Sequence, residues 1–259
     1  MKRTTAQPVM QRGFRRWSLC LIGCFLIAGP GQAQVAPEAA TRQRGEAVVI
    51  LLHGLARTSQ SMRTLERHLG QAGYTVVNVD YPSTEQSIDD LVEEVLAGVL
   101  ASCCTEATVH FVTHSMGGIL VRYYLAHHAM PNLGRVVMLS PPNQGSELVD
   151  ALKDNVVFHW VNGPAGAQLG TDPESLPARL GPVTFELGVL TGDSSLNPLF
   201  SRIIPGPDDG KVSVERARVE GMTDFLVGPY NHTFIMDEDA VLHQVVHFLQ
   251  HGVFDRSDG

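Results

Sequence analysis

The chain has 259 residues, 44% of them apolar, with 27 Asp and Glu against 19 Lys and Arg and a formal charge of −8. That length holds one substantial domain with a full core, and the acidic balance disfavours nucleic acid and anionic lipid surfaces as partners. Four cysteines in this arrangement exclude a disulfide framework and offer no metal-ligand spacing: Cys20 and Cys24 lie in the N-terminal apolar run, and Cys103 and Cys104 are adjacent. An adjacent pair can close a strained ring, stay as thiols or pair with another chain.

The N-terminus has the layout of a secretory signal peptide. Lys2, Arg3, Arg12, Arg15 and Arg16 precede the apolar run "WSLCLIGCFLIAG", and "PGQAQ" comes next, with Gly31 and Ala33 at the small positions of a cleavage site. The apolar part is too short for a comfortable membrane span. We therefore expect residues 1–33 to direct export, to the periplasm or the medium, with an uncleaved anchor as the alternative. A lipoprotein box at "LIGC" (21–24) is opposed by the apolar run that continues past it. The residues after Arg15-Arg16 match a twin-arginine signal poorly. Without residues 1–33 the chain keeps 14 basic against 27 acidic side chains, a formal charge near −13. Residues 34–46 are small and polar, and read as a flexible lead-in.

Short apolar runs then alternate with helical patterns. "AVVILLHG" reads as a buried strand stopped by Gly54, and "SMRTLERHLGQAG" as a helix ended by Gly73. "YTVVNVDYP" is the second strand. "SIDDLVEEVLAGVLAS" is an amphipathic helix with Ser87 as its cap and Asp89 and Asp90 in its first turn. "ATVHFVTH" is the third strand and "SMGGILVRYYLAHH" the helix after it; "RVVMLSPP" is the fourth strand. Residues 143–184 are Gly/Pro-rich, partly helical and too long for an ordinary connection, so they form a cap over a site or a small insertion. Their cluster Val156, Val157, Phe158, Trp160 and Val161 suits either a cap facing a greasy substrate or a packed surface helix. "VTFELGVLTG" and "DFLVGPY" are the fifth and sixth strands, and "DEDAVLHQVVHFLQHG" closes the chain as a helix. Near-continuous apolar strands alternating with helices predict an α/β fold over 47–252: a minimal, mostly parallel sheet of about six strands with helices on both faces.

Parallel sheets bind ligands at the carboxyl ends of their strands. Ser115 lies just past such an end, directly before a helix. A turn that tight needs small neighbours, and Gly117 and Gly118 supply them. The corner lifts the Ser115 hydroxyl clear of the sheet, over a helix N-terminus that favours developing negative charge. Serine needs a base to become a nucleophile. His114 is adjacent in a sharp turn and points elsewhere. His127 and His128 end the following helix. His243, His247 and His251 repeat every four residues opposite the apolar face of the last helix, as a solvated stripe rather than a metal site. His232, in "GPYNHTFIM" after the last strand, remains. For the acid that orients a histidine, the loop after the fifth strand offers Asp193, Asp208 and Asp209.

"THSMG" resembles the nucleophile elbow G-x-S-x-G of α/β-hydrolases, with Thr113 in place of the first glycine. "PDDGKVSVERA" resembles the D-G-x-V-x-V segment of secreted bacterial lipases, "LLHGLARTS" their His-Gly segment, and "SPPNQGSE" their P-x-x-G-[ST] turn. Over about 47–250 the chain is similar to the small secreted bacterial triacylglycerol lipase/esterase group. The resemblance implies a three-layer α/β-hydrolase fold and a triad of Ser115, Asp209 and His232, with Asp193 as the runner-up acid. It implies an oxyanion hole from the amides of Leu55 and Met116, braced by His53, Gly54 and Gly117. It further implies a carboxylic-ester hydrolase that works without a cofactor or metal on a small-molecule or lipid ester, at a transient lipid interface. Since residues 143–184 hold apolar cover and no charged clamp, an apolar acyl chain is expected. An acyltransferase or amidase on the same triad, or a non-catalytic binding protein retaining the fold, stands as the alternative.

Overall fold

The computed structural model describes residues 47–104, 107–153 and 156–257, with the side chains of 156–161 outside it. The export segment 1–33, the lead-in 34–46 and the apolar cluster Val156–Val161 as side chains therefore lie outside the described residues. The strands are β1 (Ala47–Leu52), β2 (Thr75–Val79), β3 (Thr108–His114), β4 (Leu133–Leu139), β5 (Leu187–Gly192) and β6 (Asp224–Gly228). They form one sheet in the order β2-β1-β3-β4-β5-β6. Every pairing is parallel, so the sheet is wholly rather than mostly parallel.

The first helical segment is a 3-10 turn, Ser59–Met62, running into α1 (Arg63–Gln71). Next come α2 (Ile88–Leu91), a π-helical stretch Val92–Leu96 and α3 (Ala97–Cys103), a single run started by Ser87, whose hydroxyl accepts the Asp90 amide. Cys103 and Cys104 at its end are bonded to each other. Helix α4 (Met116–His127) follows β3 directly. After β4 come α5 (Glu147–Leu152), α6 (Val156–Ala167) and α7 (Leu176–Arg179); α8 (Val214–Ala217) precedes β6, and α9 (Asp239–His251) closes the chain.

Alternation along the strands sends side chains to two cores. Val48, Ile50, Leu52, Phe111 and Met138 meet Leu91, Leu96 and Ile119 from α2–α4 on one face. Val49, Leu51, Val112 and Leu139 meet Leu65, Leu69, Val241, Val245 and Phe248 from α1 and α9 on the other. A period of two with both faces covered accounts for strands that read as continuous apolar runs. The histidines His243 and His251 stay exposed on the outer side of α9, and no cluster suited to a metal ion occurs among the described residues.

Segment 143–184 is tied to the sheet through α4. Arg122 is buried and donates to the carbonyls of Asn143 and Gly181, both at 2.6 Å, and to that of Pro177 at 3.4 Å. Burial pushes its guanidinium down to about 10. A planar fork of donors suits such a cluster of carbonyls from separate turns. Within the segment, α6 kinks at Gly163, which has φ 60° and sits against the Thr84 carbonyl.

The β3–α4 corner depends on close approach. A Cβ on Gly117 would lie 2.6 Å from the Leu52 carbonyl oxygen and 2.9 Å from that of His53, both backbone atoms of β1 and its exit. A Cβ on Gly118 would meet the Met138 sulfur at 3.0 Å, a flexible side chain that can yield. Gly98, within α3, faces open space. Gly117→Ala is thus expected to lower unfolding stability by about 1–3 kcal/mol and Gly118→Ala by less. Gly98→Ala should add about 0.5–1 kcal/mol. Urea unfolding of the three variants checks this order, and equal effects at 117 and 118 would refute the backbone-contact account.

Candidate active site

The carboxyl ends of β1, β3, β4, β5 and β6 open on one cavity of about 180 Å³, lined by Leu55, Ser115, Pro142, Val212 and His232 among others. Among the described residues three non-glycine residues have positive φ, and each sits just past one of these ends: Ala56 (54°) after β1, Ser115 (53°) after β3 and Ser140 (50°) after β4. Such backbone costs on the order of 1–3 kcal/mol per residue and collects where a site must be held in one geometry.

Ser115 has φ 53° and ψ −122°, and its amide donates to the Leu139 carbonyl at 2.9 Å. That bond fixes the corner to β4. His232 follows β6. Its Nε2 lies 3.0 Å from Ser115 Oγ and its Nδ1 2.8 Å from Asp209 Oδ2. A carboxylate against Nδ1 places the proton there, which leaves Nε2 to accept the serine hydroxyl. His232 is gripped by its backbone too: its amide donates to the Asp209 carbonyl at 2.9 Å, and its carbonyl accepts His114 Nε2–H at 2.9 Å.

Asp209 is 1% exposed, so an unpaired charge there would be costly. Its Oδ1 accepts the amides of Lys211 at 3.0 Å and Val212 at 2.8 Å. Burial pushes its carboxyl up. The His232 charge and hydrogen bond, the Val212 amide and the nearby Ser140 hydroxyl outweigh this and hold it below the usual carboxylate range. The Asp208 Oδ1 instead caps its own turn, accepting Gly210 N–H at 2.7 Å and the Ser201 hydroxyl at 2.9 Å. Asp193 is exposed. Of the three carboxylates the sequence offers, Asp209 is the one that meets His232.

His114 is buried, its ring 4.9 Å from that of His232. Gly54 makes room for it, since a Cβ there would lie 2.8 Å from His114 Nδ1. Burial, then the charges of His232 and Arg57, push His114 well below the ordinary histidine range, so it stays neutral. His53, fully buried, donates Nδ1–H to the Gly54 carbonyl at 2.9 Å and stacks on Tyr81 at 3.9 Å. The Tyr81 hydroxyl donates to the His53 carbonyl. These contacts set the turn that carries Leu55 to the cavity wall. Met116 opens α4, where the first amides have no intrahelical acceptor.

Two cations in the cavity escape the sequence reading. Arg57 and Lys211 both line it. Residues 143–184 give no hint of them, because they come from the loops after β1 and β5. Their spacing from Leu55 and Asp209, two residues each, is the one signal present in the chain.

A model described as the Alpha/beta hydrolase family matches residues 49–248. Among solved structures, the mature form of the Bacillus licheniformis lipase BlEst2 is similar at TM-score 0.63 and 19% identity, over 83% of this chain and 96% of that one. The phospholipase PlaB from Legionella pneumophila is similar at TM-score 0.63 and 17% identity, over 81% of this chain and 60% of that one. A metagenomic carboxyl esterase is similar at TM-score 0.56 and 19% identity, over 78% and 69%. A search of curated proteins by sequence finds no match.

A carboxyl held below its ordinary value contributes stability that is complete above that value and is lost as pH falls through the lowered one. The stability difference between the native chain and Asp209→Asn should therefore be full at neutral pH and shrink as pH drops below about 4. Urea unfolding at a series of pH values measures it. A difference that stays constant down to strong acid would show that Asp209 is not a paired carboxylate.

Proposed function

The chain belongs to the alpha/beta hydrolase family, and from that premise we propose that it is an exported serine hydrolase of carboxylic esters. The observation that carries this reading is the hydrogen-bonded series Ser115 Oγ, His232 Nε2, His232 Nδ1 and Asp209 Oδ2, with steps of 3.0 and 2.8 Å. In this reading Ser115 attacks the ester carbonyl while His232 takes its proton. Asp209 holds the tautomer and stabilises the imidazolium. The amides of Leu55 and Met116 receive the oxyanion, each worth about 2.7–4 kcal/mol. His232 then protonates the leaving alcohol, and water repeats the cycle on the acyl-enzyme. His114 acts as a positioning residue through the His232 carbonyl, and His53 through the turn at Gly54. The side chains of Leu148, Val149, Leu152, Leu169 and Phe200 along the cavity favour an apolar acyl group. The names of the similar structures, a lipase, a phospholipase and a carboxyl esterase, agree with ester chemistry. The basic and apolar N-terminus supports export.

A fluorophosphonate probe should label Ser115, with the adduct mapped by mass spectrometry, and Ser115→Ala should abolish both the label and hydrolysis of 4-nitrophenyl butyrate. Asp209→Asn should retain the fold and lose about 10³–10⁴ in kcat. A folded protein that takes no label and cleaves no ester, with or without detergent, would overturn the reading.

A further inference from the structure

The cavity beside Ser115 is not apolar all round. Its walls near Leu148, Leu152 and Phe200 are, but Arg57 and Lys211 enter it from the loops after β1 and β5. Arg57 Nη2 donates to the carbonyl of Thr233, the residue after His232, at 2.9 Å. Lys211 stands two residues after Asp209, with its amide on Asp209 Oδ1. Both cations thus ride on or against the loops that carry His232 and Asp209. Lys211 is exposed to solvent on one side although protein crowds its ammonium. Crowding, and then the Arg57 charge, lower its ammonium below the ordinary lysine range, with Asp209 opposing. Both side chains line the same cavity as Ser115 and His232. Neither makes an ion pair with a carboxylate among the described residues, and Asp237 reaches Arg57 through longer-range attraction alone.

Two cations that line one cavity, neither in an ion pair with a carboxylate among the described residues, offer matched partners to an anion bound between them. The net charge of the chain is −8, so its general field repels anionic ligands, and local cations in the reaction cavity act against that field. Their position identifies the part of the substrate concerned. His232 Nε2 must reach the leaving oxygen to protonate it, so Arg57, bonded to the His232 loop, and Lys211, lining the same cavity from the Asp209 loop that backs His232, point to the alcohol half of an ester. The apolar wall takes the acyl half.

We propose that Arg57 and Lys211 form an anion-recognising subsite for the alcohol half of the substrate, selecting esters whose alcohol carries a carboxylate or phosphate group. The inference rests on the ester-hydrolase reading above and deepens it. Arg57 also ties the Thr233 carbonyl, so Lys211 is the residue to vary.

The test compares kcat/KM for four butyrate substrates: the ester of 3-hydroxybenzoate, its neutral methyl ester counterpart, and the esters of glycerol 3-phosphate and of glycerol. A fifth, mono-4-nitrophenyl glutarate, carries its charge on the acyl half. In the native protein the ratio of an anionic ester to its neutral partner should exceed one and fall with added salt. Lys211→Gln should lower that ratio about ten- to a hundredfold, mainly through KM, the scale of one charge-assisted hydrogen bond. Lys211→Arg should restore it. The benzoate and phosphate pairs show which anion is preferred. Unchanged ratios in Lys211→Gln, or an effect confined to the glutarate, would overturn the proposal. Failure of the hydrolase reading is separable. Calorimetric binding of 3-hydroxybenzoate and glycerol 3-phosphate to Ser115→Ala, against its Lys211→Gln double variant, reads the subsite without turnover. No binding of either anion would overturn it there as well.

Discussion

The contact of Gly117 with the carbonyls of Leu52 and His53 sets the geometry on which the rest of the cavity depends. Helix α4 can begin immediately after β3 because nothing larger than hydrogen stands between its first turn and the end of β1. That approach has three linked consequences. Ser115 is forced to a positive φ, its amide is turned to Leu139 on β4, and its hydroxyl is left facing His232. The start of α4 also comes to lie beside the β1 exit, so that Leu55 and Met116 belong to one small region although far apart in the chain. A side chain at position 117 would separate these elements before it disturbed any of them singly.

A parallel sheet makes such a convergence possible because all its carboxyl ends lie on one edge. Here the ends of β1, β3, β4, β5 and β6 contribute. The positive-φ residues Ala56, Ser115 and Ser140 mark three of them, Asp209 lies in the connection after β5, and His232 follows β6. Unfavourable backbone of this kind persists only when surrounding packing outweighs it. Val49, Ile50, Phe111, Val112, Val136 and Val137, all fully buried, provide that packing directly behind the corner residues. The dense centre of the sheet and the strained rim are thus parts of one arrangement.

Much of this is legible in the chain for identifiable reasons. The strands read as apolar runs because both faces are covered, and glycines 54 and 73 stop their elements as the spacing predicts. Ser115 stands out because strand and helix patterns abut at it without a loop. Asp209 is harder. Three carboxylates occur within reach, and what separates them is backbone: Asp208 turns onto Gly210, whereas the Asp209 carbonyl holds the His232 amide. The Tyr81–His53 stack and the Arg122 clamp join residues 28 and up to 59 positions apart, and no local pattern encodes them. A buried arginine within an apolar helix reads as an ordinary polar residue until its acceptors are seen. The apolar segment 156–161 is legible as composition, but its side chains lie outside the described residues.

The charge of the cavity arises from the same economy of loops. Asp209 needs amides at Lys211 and Val212 to remain ionised while buried, so the loop must pass over the site and bring the Lys211 side chain with it. The His232 loop in turn gains a fixed position from Arg57 through the Thr233 carbonyl. Each cation is therefore delivered by an interaction that first fixes Asp209 or the His232 loop. A neutral residue at 211 would keep the backbone amide and its bond to Asp209, since that bond involves no side chain. The scaffolding role accordingly accounts for where the chain runs at 211 and leaves the ammonium without a structural purpose. An ammonium with no ion-pair partner among the described residues, whose removal would spare the fold, set in an acidic protein beside the Ser115–His232–Asp209 series, is best understood through the anionic ligand proposed for it.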